Sequence, residues 1–180
     1  MPPEGSVEFV GSSSIANWRT LADDFAPAPV LNRGLSGAVM ADLAGYAPRI
    51  VLPYRPRTLV VYAGENDVAI GTAPEQVLAD FRSLVAQVRS ALPDTKVVVV
   101  SVKPSPDRWR FRDQTVRANA LIRSWVEAQA TQDLRFVDIY PRMLGTDGTP
   151  RRDLYAPDGL HLSPAGYAVW TAAVRPEVAP

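Results

Sequence analysis

Short runs of β-branched and aliphatic residues alternate along the chain with longer stretches in which apolar residues recur at helical spacing. The short runs predict strands over residues 7–10, 30–32, 58–63, 97–102 and 135–139. Two of them, "TLVVYA" and "VVVVSV", are apolar on both alternating faces, the pattern of central strands covered by helices on each side. The longer stretches predict helices over 15–25, 38–52, 74–91, 111–130 and 164–174. Pro74 and Pro164 fall where a first helical turn accepts proline, and Ser163 is placed to cap the last helix. Strand and helix alternate throughout, which predicts βαβ units and a parallel sheet in an α/β fold, a three-layer α/β/α sandwich. No internal repeat or low-complexity linker interrupts the order.

In open sheets of this kind, functional residues collect in the loops that leave the carboxyl ends of the strands. Those loops here are "GSSSIAN", "NRGLSGAV", "GENDVAIG" and "KPSPDRW", and a final one, "YAPDGLHLSP", precedes the last helix.

Composition narrows the classes of partner. A chain of 180 residues suits one domain, expected over 1–180. No run of about 18 consecutive apolar residues is present, so no membrane span is expected. Lys plus Arg and Asp plus Glu balance at 19 each, leaving no overall field to draw in nucleic acid or an anionic membrane. The expected partner is a small molecule. Cysteine is absent, which removes disulfides, thiolate metal sites and a cysteine nucleophile together. The first strand begins within a few residues of Met1 and leaves no room for a signal peptide, so the chain as given reads as cytoplasmic unless an export signal was trimmed. Oligomeric state leaves no mark on the pattern.

Serine hydroxyls are weak nucleophiles near neutral pH and need an adjacent base, usually an imidazole oriented by a carboxylate. The chain has one histidine, His161, and Asp158 lies three residues before it in "DGLH", within reach of the ring across a single turn. Three consecutive serines, Ser12, Ser13 and Ser14, follow the first strand and supply candidate nucleophiles. Oxyanion donors are available from the backbone at a helix start, from a glycine of "NRGLSG" and from the Asn66 side chain in "GEND". Taken singly, each piece has a structural reading. Serines after a strand cap helices or cradle phosphates, a lone histidine is often structural, and Gly, Asn and Asp make turns. Together, in this order and on one edge of a sheet, they form a constellation that the single readings do not explain.

With these blocks the sequence resembles the SGNH hydrolases, the GDSL-type esterases and lipases, over its whole length. "GEND" and "DGLHLSPAGY" carry the resemblance most specifically, and "NRGLSG" less so. It implies a flavodoxin-like sandwich with a five-stranded parallel sheet. It also implies Ser13 as nucleophile, His161 as base and Asp158 as its partner, with the Ser13 and Gly37 N–H groups and the Asn66 amide as the oxyanion hole. The family's first block usually reads Gly-Asp-Ser, whereas here Ser12 stands in place of the aspartate. The activity implied is hydrolysis of small-molecule esters through an acyl-enzyme, with no metal or cofactor.

No long insertion is present to form a lid, so an open site with a preference for short acyl groups, acetyl first, is expected. "KPSPDRWRFR" follows the fourth strand and offers Lys103, Arg108 and Trp109 as candidate substrate contacts. For a carbohydrate ester, Trp18, Trp109 and Tyr155 are candidate stacking surfaces. An α/β-hydrolase is excluded. Its serine sits in Gly-x-Ser-x-Gly after several strands, whereas Ser13 follows the first strand and Ile15 takes the second glycine's place. Within the family, carbohydrate acetyl esterases and thioesterases are alternatives. The alternative from another class is a non-catalytic flavodoxin-like module whose serine loop cradles the phosphate of a flavin.

Overall fold

A computed structural model describes residues 5–179, so the first four residues and Pro180 of the expected 1–180 domain lie outside the described residues. Five strands, β1 (Val7–Gly11), β2 (Val30–Gly34), β3 (Thr58–Tyr62), β4 (Lys96–Val100) and β5 (Leu134–Val137), form one sheet in the order β2-β1-β3-β4-β5. Every pairing is parallel. Each strand starts and ends within two residues of its expected bounds.

Alternation along the strands divides the core in two. One face carries Val10, Leu59, Val61, Val97, Val99 and Leu134 under helices α3 (Met40–Ile50), α5 (Pro74–Ala91) and α6 (Arg112–Ala128). The other carries Phe9, Val60, Tyr62, Val98 and Val100 against α1 (Ser13–Ala16), α2 (Leu21–Asp24) and α7 (Pro164–Val178). Sandwiching a sheet between apolar helix faces removes both of its surfaces from water, with about 1.5–3 kcal/mol for each large side chain fully buried. The result is the α/β/α sandwich anticipated from the alternation.

Three elements differ from expectation. The helix expected over 15–25 is broken into α1 and α2, although Ile15, Trp18, Leu21 and Phe25 are all buried at helical spacing. The break lets Trp18 and Phe25 both reach Phe9, with ring centroids 5.8 and 4.9 Å from it. Trp18 Nε1 and Thr20 Oγ1 both donate to Asp24 Oδ2, at 2.6 and 2.7 Å, which closes the turn between the two pieces. The loop "GENDVAIG" contains a helix, α4 (Glu65–Ala69), entered through Gly64 at φ +112°. The last helix continues past Pro176, where buried Val178 holds its final turn. At its start, Ser163 Oγ accepts the Gly166 N–H at 3.2 Å, the expected cap.

Strand order reverses at β1, which has β2 on one side and β3 on the other. A crevice opens at such a reversal beyond the carboxyl ends of the strands. The loops after β1 and β3 flank it.

Candidate active site

β1 ends at Gly11 and the chain enters α1 almost at once, with Ser13 as its first residue. The Ser12 N–H donates to the Tyr62 carbonyl at 3.1 Å, so the start of α1 is pinned to the end of β3. On the other side α1 lies against β2, where a Cβ on Gly34 would stand 2.1 Å from the Ala16 nitrogen. Only glycine admits that approach.

Ser13 Oγ is 3.2 Å from His161 Nε2, and His161 Nδ1 is 2.6 Å from Asp158 Oδ2. The other carboxylate oxygen accepts the backbone N–H groups of Leu160 and His161, at 2.9 and 3.0 Å. The imidazole bond first, then these backbone donors, hold the Asp158 carboxyl down to about 2. An ionised Asp158 calls for a proton on Nδ1, which leaves Nε2 of the neutral ring free to accept from Ser13. Ser13 arrives on the loop after β1 and the other two on the loop before α7, and together they form one hydrogen-bonded chain. Ser13 is partly buried, while the His161 and Asp158 side chains are 35% and 49% exposed, so the chain of bonds opens to solvent at its acid end.

The loop after β2 and the helix α4 are tied to each other. Asn66 Nδ2 donates to the Ala38 carbonyl at 3.0 Å, and the buried Asp67 accepts the Met40 N–H at 2.9 Å. Burial raises the Asp67 carboxyl above its ordinary value. Gly37, one residue before Ala38, is exposed and has φ +80°, a conformation that side-chain-bearing residues rarely adopt. Beside it opens a cleft of about 390 Å³ between Leu35, Tyr46 and Ile50.

Residues 6–169 match the profile of the GDSL-like Lipase/Acylhydrolase family. The chain belongs to this family. It is 30% identical over 173 residues to the platelet-activating factor acetylhydrolase IB subunit alpha1 of Bos taurus, covering 91% of this chain and 71% of that protein. The Homo sapiens subunit is similar to the same extent. Among solved structures, a GDSL-like lipase from Bacteroides thetaiotaomicron superposes with a TM-score of 0.83 at 24% identity, covering 99% of this chain and 91% of that one. An acetylxylan esterase from Geobacillus stearothermophilus, solved as a catalytic mutant, gives 0.79 at 18% identity, covering 99% and 96%. These structural likenesses show a shared fold. Family membership places this GDSL-like acylhydrolase among the carboxylic ester hydrolases.

Of the substrate contacts expected on the loop after β4, Lys103 needs correction. Lys103 is buried, paired with the carboxylate of Glu65, and presents nothing to a ligand. Its long stem follows an apolar strand into the interior, which position on a strand-end loop does not reveal. Arg108 and Trp109 are partly buried; Arg108 pairs with Asp107 at 3.0 Å, and the Arg112 guanidinium lies 5.8 Å from the Trp109 ring centroid. Their loop does border the histidine loop, since the Asp107 N–H donates to the Gly159 carbonyl at 3.1 Å. Trp18 and Tyr155 are 2% and 6% exposed and so offer no stacking surface.

Sequence inspection missed the buried set of Tyr62, Glu65, Lys103 and Ser105 behind the serine loop. A signal was present: two charged residues of opposite sign, Glu65 and Lys103, stand three residues beyond the apolar ends of β3 and β4. Among the described residues no group of three or more His, Cys, Asp or Glu side chains is arranged to hold a metal ion, and no helix is long and apolar enough to cross a membrane.

Proposed function

We propose that this acylhydrolase is a serine esterase of short-chain carboxylic esters, acetyl esters first, acting through Ser13, His161 and Asp158. The observation that carries the proposal is the bond chain itself: His161 touches Ser13 with one ring nitrogen and Asp158 with the other, at 3.2 and 2.6 Å. A phosphate cradle gives no reason for an imidazole to sit on the middle serine.

In this scheme His161 Nε2 takes the Ser13 proton as Oγ attacks the ester carbonyl carbon, and Asp158 stabilises the imidazolium. The carbonyl oxygen, now anionic, is met by the Ser13 and Gly37 N–H groups and the Asn66 amide, donors worth roughly 3–4 kcal/mol each when preorganised. The intermediate collapses as His161 passes its proton to the leaving alcohol. Water then gives a proton to His161, attacks the acyl carbon and frees the acid, and the proton returns to Ser13. The scheme asks for neither metal nor cofactor.

Support for a short acyl group comes from two sides. The cleft beside Gly37 is small, and relatives of this chain are named for acetyl removal, an acetylhydrolase and an acetylxylan esterase. The proposal is tested by treating the protein with a fluorophosphonate and mapping the adduct by mass spectrometry, alongside hydrolysis of p-nitrophenyl acetate. A single adduct on Ser13, absent in His161→Ala, with acetate released, is expected. A yellow protein carrying flavin, unlabelled and inert to the ester, would overturn the proposal in favour of a phosphate-binding module.

A further inference from the structure

Behind Ser13, on the side away from solvent, lies a polar cluster to which the scheme above gives no task. The Lys103 side chain is fully buried and that of Glu65 is 6% exposed. Lys103 Nζ pairs with Glu65 Oε2 and also donates to Ser14 Oγ at 3.3 Å and Tyr62 Oη at 3.5 Å. Tyr62 Oη donates to Glu65 Oε2 at 3.2 Å, and Ser105 Oγ donates to Glu65 Oε1 at 3.0 Å. Burial, reinforced by the Glu65 charge, raises the Tyr62 hydroxyl well above its ordinary value, so it stays protonated and remains a donor.

Stability is a poor reason for such a pair. Removing two charges from water costs about as much as their attraction returns, and apolar residues of the same volume often do as well or better. What an apolar pair lacks is direction. The three N–H groups of Lys103 are aimed at three different partners, and two of those partners sit on the elements that hold the proposed reacting groups. Ser14 follows Ser13 in α1, and Glu65 precedes Asn66 in α4. The same loop continues to Pro104, whose carbonyl accepts the Tyr155 hydroxyl, and to Asp107, which bonds Gly159 between Asp158 and His161. The ammonium thus ties α1 and α4 to the loop after β4, the backbone of that loop bonds the histidine loop, and Asn66 holds the glycine loop directly.

We infer that the Lys103–Glu65 pair is a positioning device that fixes Ser13 and the Asn66 amide at one separation, so that the oxyanion site is formed before substrate arrives. The inference rests on the serine-esterase proposal. Neither residue touches substrate. Their effect passes through Ser14 and through the first turn of α4, where misplacement of a donor by about 1 Å is enough to cost about 100-fold in rate.

The test compares the wild type with the double variant Lys103→Met/Glu65→Leu, which removes both charges and leaves none stranded, and with Ser14→Ala, which removes one acceptor alone. Thermal melting, kcat and KM for p-nitrophenyl acetate, the pH profile and the rate of fluorophosphonate labelling are measured for each. The double variant is expected to melt cooperatively, with kcat and labelling rate down about 100-fold, KM within about threefold and the pH midpoint unmoved, because His161 and Asp158 are untouched. Ser14→Ala is expected to lose about tenfold in kcat, the worth of one hydrogen bond of about 1.4 kcal/mol. A folded double variant with wild-type kcat would overturn the inference, since the pair would then only fill space. If the double variant does not fold, Ser14→Ala decides alone, and an unchanged kcat there overturns it. A wild type that is neither labelled nor active removes the esterase proposal and this inference with it, whereas an active wild type beside a fully active double variant removes only the inference.

Discussion

Asn66 donates its side-chain amide to the carbonyl of Ala38 at 3.0 Å, one residue beyond Gly37. An amide nitrogen carries two hydrogens, and with one of them committed to this loop the second is directed by the same bond. The Asn66 amide and the Gly37 loop, the two outer donors of the proposed oxyanion site, are therefore set relative to one another by this bond. Asn66→Ala removes a donor and also releases the glycine loop, so kcat for p-nitrophenyl acetate is expected to fall by about 10²–10³-fold with little change in KM. A variant with normal kcat would remove Asn66 from the oxyanion site.

The pH profile tests the carboxylate bonded to His161. Asp158, held down to about 2 chiefly by the imidazole bond, has a depressed carboxyl, so the stability and orientation it supplies are present above the ordinary carboxylate range and are lost only as pH falls through that low value. Between pH 4 and 8 the Asp158 carboxylate is therefore expected to add no step of its own to the rate profile. A plot of log kcat/KM against pH with slope near 2 on its acid limb would contradict this. Asp158→Asn is expected to cut kcat by about 10³–10⁴-fold, by favouring the wrong tautomer of the ring.

Glu8 predicts a pH dependence of stability with the opposite sign. It lies fully buried in β1, on the face shared by Leu59, and neither carboxylate oxygen has a hydrogen-bond partner among the described residues. Burial raises its carboxyl to about 8, opposed by the charge of Arg33. The folded protein keeps this proton up to about that pH, while the unfolded chain releases it near the ordinary glutamate value. Across that window the folded state binds more protons, so stability falls as pH rises. Glu8→Gln is expected to raise stability by about 2–4 kcal/mol at pH 8 and to change it little at pH 4. Denaturant melts at the two pH values check it, and an equal effect at both would place the ionised acid in a paired environment.

Gly34→Ala tests the packing that seats Ser13. The added methyl would lie 2.1 Å from the Ala16 nitrogen, and neither backbone yields without moving α1. A loss of about 1–3 kcal/mol in stability is expected, together with a lower kcat, because Ser13 begins the displaced helix. Unchanged melting and unchanged activity together would show that β2 and α1 are less closely packed.

The layered architecture was legible in residue order because burial imposes a period on each element: all five strands and the helices α3, α5 and α6 follow from it. Where period and packing part company, the sequence misled. Ile15, Trp18, Leu21 and Phe25 have the spacing of one helix, but the rings of Trp18 and Phe25 must both reach Phe9, and the chain breaks to let them.

The residues proposed to react stood out in the sequence for a different reason. Serine, histidine and aspartate at strand ends are rare enough together to be noticed, and Asp158 and His161 are near enough in sequence for one turn to join them. Lys103 was not legible in this way. A lysine on a strand-end loop reads as a solvent-facing cation, and only the sheet order, which sets β4 beside β3, brings it against Glu65. The local chain encodes periods, turns and reactive side chains. Which charges leave water together depends on contacts between residues far apart in sequence, and those contacts exist only once the sheet has formed.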